Sequence, residues 1–256
     1  MYEALGTMNL IGLGKMGCAL VSKFEQYPEY DLYKIDIGLE GLKKDGIYNF
    51  PPLKTPEECE NKCPSMKGFL KKVTGKVIFV VSGEDMLCTA SLSVLETISK
   101  KAKITVLYFQ PEYSLVSSQV KLVDKTAFSI FQEYARSGMF EKMYIIAQEK
   151  LRAILGEVPI TEFQDKLLDQ VSFAFHMINV LSESPTVYDN FSPNNELARI
   201  STVGMGSVED DAEALFYALK HPREKTYFYL IPNEVITTDT KLMNKILNQV
   251  KRRTED

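Results

Sequence analysis

The hydrophobic residues in the first 150 positions form short runs separated by polar stretches. Continuous apolar or β-branched runs, typical of buried parallel strands, alternate with stretches of helical periodicity. The predicted strands are 8–11, 30–37, 76–81, 104–109 and 143–147, and the predicted helices are 18–26, 89–101 and 122–137. Residues 43–75 are polar and proline-rich, which predicts loops around short helices. This alternation predicts an α/β fold with a doubly wound parallel sheet.

The longest helical pattern covers residues 161–181. One stripe of the predicted helix is apolar and comprises Phe163, Leu167, Val171, Ala174, Ile178 and Leu181. Thr161 is its expected N-cap. After a loop-like stretch, the pattern predicts a strand at 199–203, a helix at 210–220, a strand at 226–231 and a helix at 240–252. We therefore divide the chain into a nucleotide-binding-type domain (1–158), a central connecting helix (159–183) and a reduced C-terminal α/β domain (184–256).

Composition narrows the class of protein. The chain is 45% hydrophobic and 25% charged with a net charge of −4, which is ordinary for a globular protein and gives no general attraction to nucleic acid or anionic membranes. No apolar run approaches the roughly 20 residues of a membrane helix, and the start lacks a signal-peptide pattern. The four cysteines read as reduced thiols, and both histidines lie far from them. We expect a cytoplasmic protein without a metal site built from its own residues.

A glycine motif follows the first predicted strand. Gly12, Gly14 and Gly17 form the pattern G-x-G-x-x-G, which lets the backbone approach a phosphate at the N-terminus of a helix. The candidate ligand-binding residues of this loop are Gly12, Gly14, Lys15, Met16, Gly17 and Cys18. Asp36, at the end of the second strand, could bind a ribose hydroxyl. Three interpretations stay open: a nucleotide loop, the cofactor loop of an NAD(P)-dependent β-hydroxyacid dehydrogenase, and a tight strand-to-helix turn without a ligand.

The order of further segments favours one nucleotide-binding family. Five stretches, 35–42, 104–112, 143–151, 159–181 and 203–207, follow the glycine loop in the order of the corresponding segments of the tubulin/FtsZ superfamily. The chain resembles that superfamily over most of its length. The resemblance implies GTP or GDP bound between subunits that assemble head to tail into filaments, with Mg²⁺ as a potential companion. It adds Ser82, Gly83 and Asp85 to the candidate ligand-binding residues.

The departures from the family concern the nucleotide. The family wraps the phosphates with a glycine- and threonine-rich loop after the fourth strand, and this chain has Ser-Gly-Glu-Asp-Met-Leu-Cys-Thr-Ala at 82–90. Glu84 and Asp85 stand where phosphates would lie, and like charges repel unless Mg²⁺ bridges them. The family aspartate that contacts guanine corresponds to Leu168, with Asp165 and Asp169 pointing to either side. We therefore expect weak or lost GTP binding.

Catalysis in the resembled family comes from acids in the loop after the central helix, which act on the nucleotide of the next subunit. Glu196 is the best candidate here for orienting a water, and a solvated loop carboxylate is the alternative. We expect little or no GTPase activity and leave open whether the chain is an enzyme. Two alternatives to a head-to-tail assembling protein remain: an NAD(P)-dependent oxidoreductase, for which no lysine–asparagine catalytic pair is found, and a structural scaffold that binds no nucleotide.

Overall fold

A computed structural model describes residues 7–41, 45–184, 198–210 and 212–255, without the side chains of Glu183, Thr254 and Glu255. The strands are β1 Met8–Leu13, β2 Tyr30–Asp36, β3 Ile47–Asn49, β4 Gly75–Ser82, β5 Ala102–Gln110, β6 Lys142–Ala147, β7 Ile200–Ser201, β8 Gly204–Gly206 and β9 Glu213–Leu215. The helices are α1 Gly14–Lys23, α2 Pro56–Asn61, α3 Ser91–Glu96, α4 Ser118–Arg136, α5 Gln148–Leu155, α6 Phe163–Glu183, α7 Asn233–Thr238 and α8 Leu242–Glu255. Short 3₁₀ turns cover Phe24–Gln26 and Met86–Ala90.

Seven strands form one parallel sheet in the order β3-β2-β1-β4-β5-β6-β7. This confirms the predicted doubly wound α/β fold. The strand order reverses between β1 and β4, and in such sheets ligands bind outside the carboxyl ends of the strands at the reversal. We call the edge formed by the carboxyl ends of the strands the upper edge and the opposite edge the lower edge. The glycine motif lies at the upper edge, beside the reversal.

Both faces of the sheet are covered, because neighbouring side chains of a strand point to opposite faces. In β4, Phe79 and Val81 pack with the face that α3 and α4 cover, while Ile78 and Val80 pack with α1 and α6. The strand is buried on both sides, which explains its continuous apolar sequence.

Helix α6 is continuous, as the periodicity predicted, and its apolar stripe packs on the α1 side of the sheet. Lys23 of α1 makes ion pairs with Asp165 and Asp169, so both carboxylates are directed to α1. Leu168, between them, is buried in the core. The predicted N-cap is wrong: the helix begins after Glu162, and no side chain caps it. The 162 carbonyl still accepts the first helical bond, from Lys166.

Several predicted boundaries in the sheet domain are corrected. Helix α1 begins at Gly14, four residues before the predicted start at 18, because its first turn is made by the glycine motif itself. A short strand, β3, lies inside the stretch that was predicted as loops and helices. The helix predicted at 89–101 is divided into the 3₁₀ turn and the short α3.

The C-terminal part differs most from the prediction. The helix predicted at 210–220 is wrong, because β9 lies there and pairs antiparallel with β8. Phe216, which follows β9, donates its N–H to the Val203 carbonyl and accepts the N–H of Ala147, so tertiary pairing overrides the helical propensity. The strand predicted at 226–231 is also wrong, since these described residues have no regular structure. The last helix is confirmed as α8.

The predicted division into three segments, 1–158, 159–183 and 184–256, stays a prediction. Within the described residues, no helix is both long and apolar enough to cross a bilayer.

Candidate nucleotide-binding site

The glycine motif forms the turn between β1 and α1. Gly14 has φ +74°, a conformation that disfavours residues with a Cβ. A Cβ on Gly12 would lie 2.4 Å from the carbonyl oxygen of Gly17, and a Cβ on Gly17 would lie 2.7 Å from that of Val80. The glycines thus allow α1 to start against β1 and β4, with its N-terminus at the upper edge.

The carboxylate of Asp85 occupies the position in front of this helix. Its Oδ2 accepts the N–H of Lys15 at 2.7 Å, and its Oδ1 accepts the N–H of Leu87 at 2.9 Å. A Cβ on Gly14 would lie 2.2 Å from Oδ2, so only a glycine lets Asp85 approach so closely. A hydrogen bond to a charged group stabilises the folded state by about 1.5–3 kcal/mol, and an anion at a helix N-terminus gains about 0.3–1 kcal/mol from the helix dipole. An anion supplied by the protein therefore sits where a phosphate was predicted.

The loop that carries Asp85 rests on a buried polar group. Gly83 packs so closely on Asp124 that a Cβ would lie 1.8 Å from its Oδ1. Asp124 is fully buried and accepts hydrogen bonds from the hydroxyls of Tyr108 at 2.8 Å and Tyr113 at 2.6 Å. Burial raises the pKa of Asp124, while the two tyrosine hydrogen bonds oppose that rise. The sequence analysis missed this group, although an acid on a helix that otherwise buries Ala127 and Phe131 was a visible signal.

Ser82 ends β4 and pairs with Phe109 of β5, whose side chain packs in the core on the α1 side, so Ser82 faces the same side of the sheet. The side chain is fully buried, and its Oγ has no hydrogen-bond partner among the described residues. A buried hydroxyl without a partner is costly and indicates an absent ligand or water.

The remaining predicted residues of the glycine loop offer little side-chain chemistry. Met16 is in the core, and Lys15 is exposed with its backbone N–H already used. The Cys18 thiol lies 3.5 Å from the Gly12 and Ile35 carbonyl oxygens, and burial raises its pKa to about 12, so it is not a nucleophile.

Asp36 is half-buried at the end of β2, and its Oδ1 accepts the N–H of Ile37 at 2.8 Å. Burial raises its pKa, and the charge of Asp85 acts in the same direction. The structure thus brings all ten predicted ligand-binding residues to one corner, although their role stays a prediction.

Two glutamines with unpartnered amide atoms were not predicted from the sequence. Gln148 begins α5 directly after β6, at the upper edge, and Gln170 lies on α6, two positions after Leu168. The Nε2 of Gln148 and the Oε1 of Gln170 are buried and have no partner in the described part of the chain. One turn after Gln148, Arg152 holds the buried Glu112 through hydrogen bonds of 2.9 and 2.5 Å. Amide side chains at the starts and inner faces of helices were the available signal.

The predicted catalytic residue, Glu196, lies outside the described residues. Among those described, no group of three or more histidine, cysteine or acidic residues could hold a metal ion. The expected Mg²⁺, which requires the phosphates themselves, stays a prediction.

Comparison with known proteins gives matches only at the level of structure. No protein-family model and no curated protein matches the chain. TubZ of Bacillus thuringiensis serovar israelensis, in a GTPγS-form protofilament, superposes with a TM-score of 0.59 at 12% identity, over 75% of this chain and 60% of TubZ. CetZ2 of Haloferax volcanii, in a GTPγS-bound protofilament, gives 0.53 at 11% identity over 72% and 60%. An empty FtsZ dimer of M. jannaschii gives 0.53 at 12% identity over 80% and 65%.

The chain therefore has a nucleotide-type α/β fold, and specifically that of the tubulin/FtsZ proteins. It spans about 60% of the length of TubZ and of CetZ2. At 11–12% identity the likeness is one of fold, and the matches do not favour the dehydrogenase alternative.

Proposed function

We propose that the chain is a divergent tubulin/FtsZ-type protein of the cytoplasm that self-associates head to tail and binds GTP weakly or not at all. Asp85 is the observation that carries the second part. Its carboxylate takes the Lys15 N–H at 2.7 Å, the donor that a phosphate at the start of α1 would use. A bound nucleotide would have to displace an anion held in place by its own loop.

The same contact argues against rapid GTP turnover. Phosphoryl transfer is accelerated mainly by pre-organised donors and cations around the phosphates. Here the loop after β4 contributes Glu84 and Asp85 instead, and Asp85 has taken the donor of α1. We therefore expect GTPase activity near background, and a role for Glu196 in catalysis stays a secondary part of the proposal.

The distribution of charge supports self-association. The lower edge carries exposed lysines before β4 and β5, namely Lys71, Lys72, Lys100, Lys101 and Lys103. It also carries Glu133 and Glu141, which pair with Arg136 and Lys103. The upper edge exposes Glu57, Glu60 and Glu84, with Lys15, Lys54 and Lys62 among them. Contact between the lysines of the lower edge and these acids of the upper edge would steer one copy onto the next.

In the proposed contact, the upper edge around 12–18, Asp36 and 82–85 faces the lower edge of the next subunit. The family resemblance adds residues 187–196 to this contact, and they lie outside the described residues. Such a heterologous contact repeats into open filaments or rings and does not give a two-fold dimer. Arg199 is available on the lower edge, where it hydrogen-bonds the Phe140 carbonyl at 3.1 Å, to offset the acids of the upper edge. The TubZ and CetZ2 chains were solved as protofilaments, which is consistent with the proposal.

Two measurements test the proposal. Denaturing the purified protein should release no stoichiometric guanine nucleotide, as measured by chromatography. Release of bound GTP or GDP would contradict the proposal that the protein binds GTP weakly or not at all. For assembly, Lys71→Glu with Lys72→Glu should abolish self-association. The matched control is Lys220→Glu with Lys241→Glu, which makes the same change of charge at exposed positions in the C-terminal part. Equal loss in both pairs would indicate a general charge effect and contradict the proposed contact.

A further inference from the structure

Asp85 is held more firmly than a surface side chain. Each carboxylate oxygen has its own backbone donor, Lys15 N–H and Leu87 N–H. The loop behind it is fixed by the close packing of Gly83 on the buried Asp124. A carboxylate fixed in this way competes with a dissolved anion at a high effective concentration, because it has little freedom left to lose on binding.

The space that Asp85 fills has features of an anion site. The start of α1, a ten-residue helix, presents N–H groups that have no partner within the helix, of which Asp85 takes that of Lys15, and the positive end of the helix dipole. Independently, the Ser82 hydroxyl at the end of β4, on the α1 side of the sheet, is fully buried and has no partner among the described residues. It makes no hydrogen bond to Asp85 and can donate to an anionic oxygen of a ligand.

We propose that Asp85 is a built-in competitive inhibitor of phosphate binding at the start of α1, and that polyphosphate ligands bind there only when its carboxylate has moved away. This inference rests on the proposed function, because it explains why GTP would bind weakly. It also states that the phosphate-binding groups at the start of α1 are still present and are only covered by the Asp85 carboxylate. Loss of one side chain should therefore create affinity for polyphosphate.

The test uses inorganic pyrophosphate as the probe and isothermal titration calorimetry as the measurement. Asp85→Ser opens the space and keeps an oxygen that can accept the Leu87 N–H. We expect its affinity for pyrophosphate to exceed that of the unaltered protein by about 10- to 100-fold, the factor that one charge-assisted hydrogen bond represents. Asp85→Asn removes the charge but fills the space, so its gain should be smaller. Glu84→Ser, which removes a neighbouring exposed carboxylate, should show none.

The backbone amide of Lys15 provides a second measurement that does not depend on affinity alone. In ¹⁵N-labelled protein its chemical shift should change in Asp85→Ser and move again when pyrophosphate is added. The inference would be overturned if folded Asp85→Ser showed no gain in affinity for pyrophosphate and if its Lys15 amide shift did not change on addition of pyrophosphate. The proposed function would still stand. An equal gain in Glu84→Ser would also overturn the inference, in favour of net charge. Tight pyrophosphate and GTP binding by the unaltered protein would refute the inhibitor and the weak-binding proposal together. Should Asp85→Ser fail to fold, the Asp85→Asn and Glu84→Ser pair decides in the same way.

Discussion

The sheet domain and the C-terminal part of the chain are built differently. Residues 7–184 bury long apolar side chains on both faces of the sheet, including Phe79, Phe109 and Phe131. The described residues 198–255 begin with the edge strand β7, and their buried hydrophobic side chains are Val203, Phe216 and Leu242, of which the first two pack in the core on the α1 side of the sheet. Other contacts in the C-terminal part involve polar side chains. Gln249 donates to the Ser207 and Asp210 carbonyls, and Arg253 lies over the Tyr227 ring.

This difference indicates where stability and adaptability reside. A part with few buried apolar contacts opens locally at lower free energy than a closely packed sheet. The candidate site lies wholly on the sheet, between β1, β4 and α1, so its geometry is held by the stable part. We therefore expect the segment after Phe216 to loosen more readily than the site around Asp85. The following predictions test this contrast, beginning with the largest effect.

Truncation of a core side chain should show the contrast most strongly. Phe79→Ala should lower the free energy of unfolding by about 4 kcal/mol, because it leaves a cavity in a fully buried core. Leu242→Ala, in a sparsely packed part, should cost about 2 kcal/mol. Urea unfolding followed by circular dichroism measures both. Equal costs would show that the two parts are packed equally well.

The glycine turn should be the most sensitive backbone position. Gly12→Ala should lower the free energy of unfolding by about 3 kcal/mol, because the added Cβ meets backbone atoms of Gly17 that cannot withdraw. Gly68→Ala is the matched control, since a Cβ there meets nothing within 4 Å. Thermal unfolding of the two variants should differ clearly, and similar melting temperatures would contradict the packing argument.

A polar contact should matter locally in the C-terminal part. Gln249→Ala removes the hydrogen bonds to Ser207 and Asp210 and leaves both carbonyls without that donor, at a cost of about 2 kcal/mol. Hydrogen exchange should quicken around β8, β9 and α8 while the amides of β4 and β5 keep their protection. Faster exchange throughout the sheet would mean that the two parts unfold as one unit.

The smallest effect concerns pH and a histidine of the sheet domain. His176 is buried on α6, stacks on Tyr27 at 3.6 Å, and its Nδ1 lies 3.2 Å from the Tyr30 hydroxyl. The Tyr30 hydroxyl also accepts a hydrogen bond from Asn179 at 3.1 Å, which leaves its own proton for the Nδ1 of a neutral imidazole. Burial lowers the pKa of His176 below 6.5, although the charge of Glu29 opposes this.

Because the folded protein binds this proton less readily than the unfolded chain, the contribution to stability is present above pH 6.5 and is lost as the pH falls below it. His176→Gln keeps an acceptor for Tyr30 and removes the titration. Chemical unfolding between pH 5 and 7 should therefore show a flatter profile in this variant. An identical slope in both proteins would contradict the assignment.

The contrast also explains which elements could be predicted from the sequence. Strands such as β4 and β5 are buried on both faces, so their apolar runs reflect burial directly, and α6 has a helical stripe for the same reason. β9 could not be found in this way. Its three residues pair with β8, and Phe216 after it is bound by backbone hydrogen bonds to Val203 and Ala147, which local propensity does not contain.

In the candidate site, too, some features could be predicted from the sequence and others depend on the fold. The glycine motif and the acidic loop were visible in the sequence, and the repulsion expected at Glu84 and Asp85 was a fair estimate from charge alone. The structure shows a different arrangement, in which Asp85 is bound by α1. Asp124 lies on α4, far along the sequence from the loop after β4, so only the fold brings it against Gly83.

Sedimentation velocity over a wide range of protein concentration, with and without GTP and Mg²⁺, tests the central claim most directly. The account predicts association that grows with protein concentration, weakens with added salt because charged edges are screened, and is the same with or without GTP. A single monomeric species under all conditions, or association that requires GTP, would contradict it.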